Sequence, residues 1–196
     1  APWGRDDFQG GTERKTGGGT VADPPAGVQT APGRQAPLES MGHLEIDMHH
    51  DRLGLSFDYP DNWSLDTDVA DPSAPAVTVS SPDGGFWSVS AHEQGADPDR
   101  LARAVRDQMR SEYRDLDLES AVEDVGGRSL GGFDFNFYCL DLTNTARVRA
   151  FATPAATYVL FCQAEDREWD RVAHVFAAMT ASFVRSLGAD DQDDEA

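Results

Sequence analysis

The chain has 196 residues with 35 acidic and 16 basic groups, a formal charge of −19, so it is long enough for one ordinary hydrophobic core. That charge excludes nucleic acid and anionic membrane as docking partners, because both need a basic stripe to displace counterions. No window comes near 18 uncharged apolar residues, which excludes a helical membrane span.

Residues 1–40 are rich in Gly, Pro, Thr and Gln and show no hydrophobic period. They are expected to be a disordered arm or sequence upstream of the domain. They hold five acids (Asp6, Asp7, Glu13, Asp23, Glu39) and four bases (Arg5, Arg14, Lys15, Arg34), so −18 of the charge belongs to residues 41–196. Lys15 is the only lysine and Asp outnumbers Glu. Such a surface suits a protein of a high-salt environment, and a GC-rich genome produces the same bias. Met41 opens the globular stretch; if it is the start, the domain is expected to be cytoplasmic, and otherwise its location stays open, tethering or export included.

Residues 42–52 read as a lead-in with a short edge strand through Leu44 and Ile46. Leu53, Leu55, Phe57 and Tyr59 then alternate with Gly54, Ser56 and Asp58, the two-residue period of a half-buried strand. Pro60, Asp61 and Asn62 supply a turn, and a second strand is predicted over 63–67. A third covers 76–80, a turn sits at Pro82-Asp83-Gly84-Gly85, and a fourth covers 86–92 with Trp87, Val89 and Ala91 on one face. Asp97 and Pro98 read as N-cap and first residue of a helix running to about 114, with Leu101, Val105, Met109 and Tyr113 as its apolar stripe. Arg103, Arg106, Asp107 and Arg110 fall on its solvent side. Four strands follow, over 116–125, 128–142, 146–152 and 157–162. The last is apolar on both faces, as in a strand covered on both sides. Trp169, Val172, Phe176, Met179 and Phe183 step by three and four into a final helix, and residues 188–196 form an acidic tail expected to be disordered.

Strands, helix, strands, helix with short links make an α+β fold on an antiparallel sheet of about six to seven strands. The opening strand with YPDNW, the SPDGGFWSVS hairpin, the two-faced strand TYVLFCQA and the closing FAAMTASF together resemble the PsbP-like superfamily. That superfamily includes the extrinsic P subunit of photosystem II, a Ran-binding nuclear import factor and DcrB-type bacterial proteins. The resemblance covers about residues 53–183. It implies an α/β/α sandwich over residues 41–187 and a role in binding or assembly with a protein partner. A helix-grip fold is the alternative architecture. A carrier with a small-molecule or lipid cavity between sheet and last helix is the alternative function.

No nucleophile elbow, phosphate loop, dinucleotide fingerprint or H-E-x-x-H helix is present, so no catalytic residue, cofactor or metal site is assigned. Adjacent side chains of the His49-His50-Asp51 run point opposite ways in an extended segment, and His43 lies nearby without ligand spacing. His92-Glu93 offers a base without an identified nucleophile or substrate. Cys139 and Cys162 are too few for a disulfide framework, and each sits in an apolar strand; a bridge between neighbouring strands stays open. Gly84-Gly85, Gly126-Gly127 and Gly131-Gly132 are read as turn or bulge glycines bordering strands. Trp63, Trp87 and Trp169 are read as core anchors. Phe86 and Phe151 fall on the polar side of their strands, and Arg147 and Arg149 share a face with Phe151. These four are the candidate binding residues. Uncovered, they would meet a partner, with the arginines receiving a carboxylate. Covered by a helix layer, they would pack and pair internally.

Overall fold

The computed structural model of the chain describes residues 48–68 and 74–193, with side chains as far as residue 188. The arm over 1–40 and the edge strand expected through Leu44 and Ile46 lie outside those residues. The described elements are β1 (Met48–Arg52), β2 (Leu55–Tyr59), β3 (Ser64–Asp68), β4 (Ala76–Ser80), β5 (Phe86–His92), α1 (Pro98–Glu112), β6 (Leu116–Val125), β7 (Arg128–Cys139), β8 (Leu142–Ala152), β9 (Thr157–Glu165) and α2 (Asp166–Asp193). No helix among them is long and apolar enough to cross a membrane.

Seven strands form one antiparallel sheet in the order β3-β4-β5-β9-β8-β7-β6. The last strand in sequence therefore sits at the middle, between β5 and β8. Its two-faced pattern follows from that place: Tyr158 and Leu160 pack on the side of α2, Val159 and Phe161 on the side of α1. The α1 face is filled by Ala102, Met109, Phe135, Phe137, Ala146 and Val148. The opposite face packs under α2 through Trp87, Val89, Leu160, Phe176, Met179 and Phe183, among others. Both helices lie on the sheet, the α/β/α layering expected from the sequence.

The opening strand departs from the prediction. β2 joins no sheet strand but pairs with β1 as a separate hairpin, which packs beside α2. Leu55 and Phe57, each 0% exposed, are its contribution to the core. Leu53, predicted on the strand's inward face, is instead the first turn residue, at φ 61, followed by Gly54 at φ 70. A two-residue hairpin connection whose twist matches its strands needs φ above zero at both positions. Three hydrogen bonds tie the hairpin to α2. Ser182 Oγ donates to Asp58 Oδ2 at 2.8 Å and accepts from the Asp58 backbone N–H at 3.0 Å, and Ser186 Oγ donates to the Ser56 carbonyl at 2.6 Å.

Turns and caps follow local chemistry more closely. Asp97 caps α1 by accepting from the Asp99 backbone N–H at 3.0 Å, with Pro98 next. The β4–β5 turn closes through the Ser81 N–H on the Gly85 carbonyl at 2.7 Å. The β7–β8 link lies at Leu140-Asp141, not at the residues between 142 and 146, with φ of 51 and 63. Asp141 takes a positive φ readily but Leu140 does not, so the pair marked the turn only weakly. Gly131 and Gly132 do not border a strand; they sit inside β7. A Cβ on Gly132 would stand 1.9 Å from the Val148 carbonyl oxygen, so β7 and β8 approach too closely there for any side chain. α2 is described to Asp193, past the start of the acidic tail read from the sequence.

Candidate functional site

Strand alternation puts Arg147, Arg149 and Phe151 of β8 on the face covered by α2. Phe151 is 4% exposed, with its ring 5.5 Å from that of Tyr158 and 6.4 Å from that of Phe183, so it is core and unavailable to a partner. Phe86 is half-buried on the other face of the sheet, its ring 5.8 Å from Phe161. The two phenylalanines therefore do not share a surface.

Arg149 is 7% exposed and lies directly across from Gly132. Its guanidinium meets Asp134 Oδ1 at 2.7 Å and Glu123 Oε2 at 3.3 Å, and donates to the carbonyls of Phe133 at 3.2 Å and Val148 at 2.9 Å. The Asp134 contact is electrostatic, since the buried Oδ1 finds no aligned donor. A buried guanidinium needs such company to repay its lost hydration. Arg149 is thus a structural cation.

Arg147 differs. Its side chain keeps 39% of its exposure, its Nε is 3.8 Å from Asp134 Oδ2, and its guanidinium carbon lies 4.9 Å from the centre of the Trp169 ring. That Nε is buried and has no hydrogen-bond partner among the described residues. Trp169 is half-buried and stacks toward Phe176 at 5.9 Å, while Trp63 and Trp87 are core residues at 5% and 1% exposure. The space between sheet and α2 here is a cavity of about 30 Å³ lined by Arg147, Arg149, Cys162, Trp169 and Phe176, among others. That is room for about one water, far below the several hundred Å³ of a carrier's pocket. Burial pushes the Cys162 thiol up to about 12, so it is inert. Cys139 packs on the α1 face and Cys162 on the α2 face; both thiols are free and the sheet separates them.

His49 and His50 point opposite ways, as expected. His49 faces outward, with Nδ1 2.7 Å from Asp58 Oδ1 and Nε2 3.3 Å from Ser56 Oγ. That bond holds the Asp58 carboxyl below its ordinary value. Among the described residues no group of three or more His, Cys, Asp or Glu is placed to hold a metal ion. His92 Nε2 lies 3.1 Å from Ser90 Oγ. Arg106, expected in solvent, instead covers the Phe133 ring at 5.3 Å.

One surface escaped the sequence reading. Around the β7–β8 turn, Tyr138 is 63%, Leu140 90% and Leu142 45% exposed. Tyr138 and Arg147 lie on the same face of the sheet. The available signal was Leu140, where the alternation of β7 breaks into two consecutive residues without a core position.

No protein-family model matches the chain, and no curated protein matches it. Solved structures do. The chain is similar to the solution structure of cyanobacterial PsbP (CyanoP) from Synechocystis sp. PCC 6803, with 20% identity, TM-score 0.47, and coverage of 75% of this chain and 98% of that one. It is also similar to LpqN, involved in cell envelope biogenesis of Mycobacterium tuberculosis, with 16% identity, TM-score 0.35, and coverage of 63% and 78%. A third is PA94 of Pseudomonas aeruginosa, a protein of unknown function, with 13% identity, TM-score 0.43, and coverage of 69% and 94%. The first of these is a PsbP protein, of the superfamily that the sequence motifs resemble.

Proposed function

We propose that the protein is a non-enzymatic binding or assembly factor that engages a protein partner through the β7–β8 tip. The observation that carries this reading is the exposed trio Tyr138, Leu140 and Leu142, with Leu140 held at φ 51 where a leucine is strained. Tyr138 points to the α2 face and Leu142 to the α1 face, so the tip offers an exposed apolar edge; exposed apolar side chains mark contact surfaces, and a strained residue at a loop tip is kept where the surroundings or a partner require it. Arg147 lies on the face of Tyr138, four residues back along the sheet, and its side chain keeps 39% exposure, so its guanidinium is suited to a carboxylate beside the partner's apolar contact. Of the four residues nominated from the sequence, Arg147 is the contact residue; Arg149 and Phe151 are buried further along the same face of β8, and Phe86 belongs to the other face. The cavity under α2 gives a carrier role no support.

The test is site-specific photo-crosslinking in the host, with the crosslinker at position 138 or 140 and, as control, at the exposed Arg110 of α1. A single protein captured from the tip, absent from the control and reduced by Arg147→Gln, is the expected result. Equal labelling from tip and control overturns the reading.

A further inference from the structure

The seven-stranded sheet ends on β3 at one side and on β6 at the other, and the two edges differ. β3 has five residues and β6 has ten, about 33 Å of strand at about 3.3 Å per residue. The register of β6 on β7 runs unbroken from Leu116 opposite Phe137 to Val125 opposite Arg128. Among the described residues β6 has no other strand partner, so every second residue along it directs its N–H and C=O away from the sheet. Sheets blunt such an edge with proline, lysine or a bulge. β6, with the sequence LDLESAVEDV, uses none of these.

What β6 carries instead is one sign of charge. Leu116 and Leu118 pack on the α1 face and Val125 on the α2 face, so alternation assigns Asp117, Glu119 and Glu123 to the α2 face and Ser120, Val122 and Asp124 to the α1 face. Glu123 already faces Arg149 at 3.3 Å. Asp117 and Glu119 are exposed and have no cationic partner among the described residues. On the other face Val122 is 72% exposed and stands opposite Gly131, which offers it no side chain to pack on. The free main chain, the two unpaired carboxylates and the bare valine lie within six consecutive residues, Asp117 to Val122.

The charge selects what can pair there. A second copy of the chain would bring four carboxylates of β6 beside four more, and like charges across a strand pair destabilise it. A basic strand meets the same edge with attraction. We propose that β6 takes up an extended segment of a partner polypeptide as an eighth strand, with Lys or Arg at alternate positions meeting Asp117 and Glu119 and an apolar residue on the opposite face packing on Val122. Main-chain hydrogen bonds hold the segment, while the carboxylates select its charge and speed its approach. The edge is a different surface from the β7–β8 tip, so either reading survives failure of the other.

The test follows backbone amide resonances of the full chain by NMR while a hexapeptide of alternating lysine and valine, acetylated and amidated at its ends, is added at low salt. Saturable shifts centred on residues 116–125 are expected. A peptide of the same composition with its three lysines in one block binds about tenfold more weakly, and one with glutamate in place of lysine leaves the spectrum unchanged. Asp117→Asn with Glu119→Gln weakens the alternating peptide about tenfold, the combined worth of two exposed ion pairs, and an unchanged spectrum away from β6 verifies that this variant is folded. Two further peptides carry N-methyl groups, one on its lysines and one on its valines. A strand presents the main chain of alternate residues to its neighbour, so one of the two loses binding and the other keeps it. Absence of saturable shifts, equal binding of the block peptide, or equal behaviour of the two methylated peptides overturns the proposal. So do shifts of β6 with protein concentration in the absence of peptide, which would give the edge to a second copy.

Discussion

The two faces of the sheet are built on different principles. The α1 face is an apolar layer: Phe135, Phe137, Ala146 and Val148 meet Ala102 and Met109, and its packing needs only surface removed from water. The α2 face carries an equally apolar centre, yet toward β6 it holds a buried cation between two carboxylates, Arg149 with Asp134 and Glu123. Burial on the first face tolerates any side chain of the right volume, whereas on the second it depends on every partner being present. The second face is therefore the more specific and the more easily broken.

That contrast can be broken outright at Gly132. Gly132→Ala places a carbon 1.9 Å from a backbone oxygen, which no rotamer relieves, and is expected to abolish the native β7–β8 register, read as loss of the cooperative thermal transition. Arg149→Gln strands Asp134 and Glu123 and is expected to cost about 3–5 kcal/mol in denaturant unfolding. On the apolar face Phe135→Ala costs a similar amount, about 3–5 kcal/mol, by leaving a cavity. The distinction appears on rescue. Replacing Glu123, Asp134 and Arg149 together by leucine or methionine recovers most of the loss at Arg149, and no second change near position 135 recovers the lost volume as completely. A deficit that persists in the triple variant would mean that the ion cluster stabilises in its own right.

Smaller effects sharpen the picture at the edges. Leu140→Asn relaxes a left-handed backbone and is expected to raise stability by up to about 1 kcal/mol while weakening capture at the tip. Arg147→Gln removes only a partly solvated contact with Trp169 and Asp134, so unfolding should change by no more than about 1 kcal/mol while crosslinking falls. Acid should loosen the β1–β2 hairpin in two steps. His50 is depressed below its ordinary 6.5, so the unfolded state takes up the proton first and stability falls as pH drops from about 6.5 to the folded value. Asp58, held below its ordinary 3.8 by His49, contributes stability above 3.8 that is lost as pH falls through its folded value. Hydrogen exchange of β1 and β2 at pH 7 and pH 5 reads the first step, which His50→Phe removes.

Much of the fold was legible because its signals are local. Asp97-Pro98 announced the start of α1, the Pro82 to Gly85 run announced its hairpin, and the alternation over 133–139 placed the inward residues of β7. The site was less legible. Alternation placed Arg147, Arg149 and Phe151 on one face but could not say that α2 covers Phe151 and Arg149 while leaving Arg147 at the margin. The tip escaped because Leu140 is not a residue that favours positive φ, and Asp141 alone is a weak turn signal. Gly131-Gly132 read as a border because the close approach that demands a glycine comes from β8, well over ten residues away in the chain.

Composition and period by themselves determined the fold class, the main helix faces and the net negative charge, since each depends on residues within a few positions of one another or on their number. Tertiary structure alone decided that β2 leaves the sheet for a hairpin beside α2, that β9 enters at the sheet's centre, and which arginine is buried. Those outcomes depend on which surfaces meet across long stretches of chain, and the free energy of that meeting is written in no single segment.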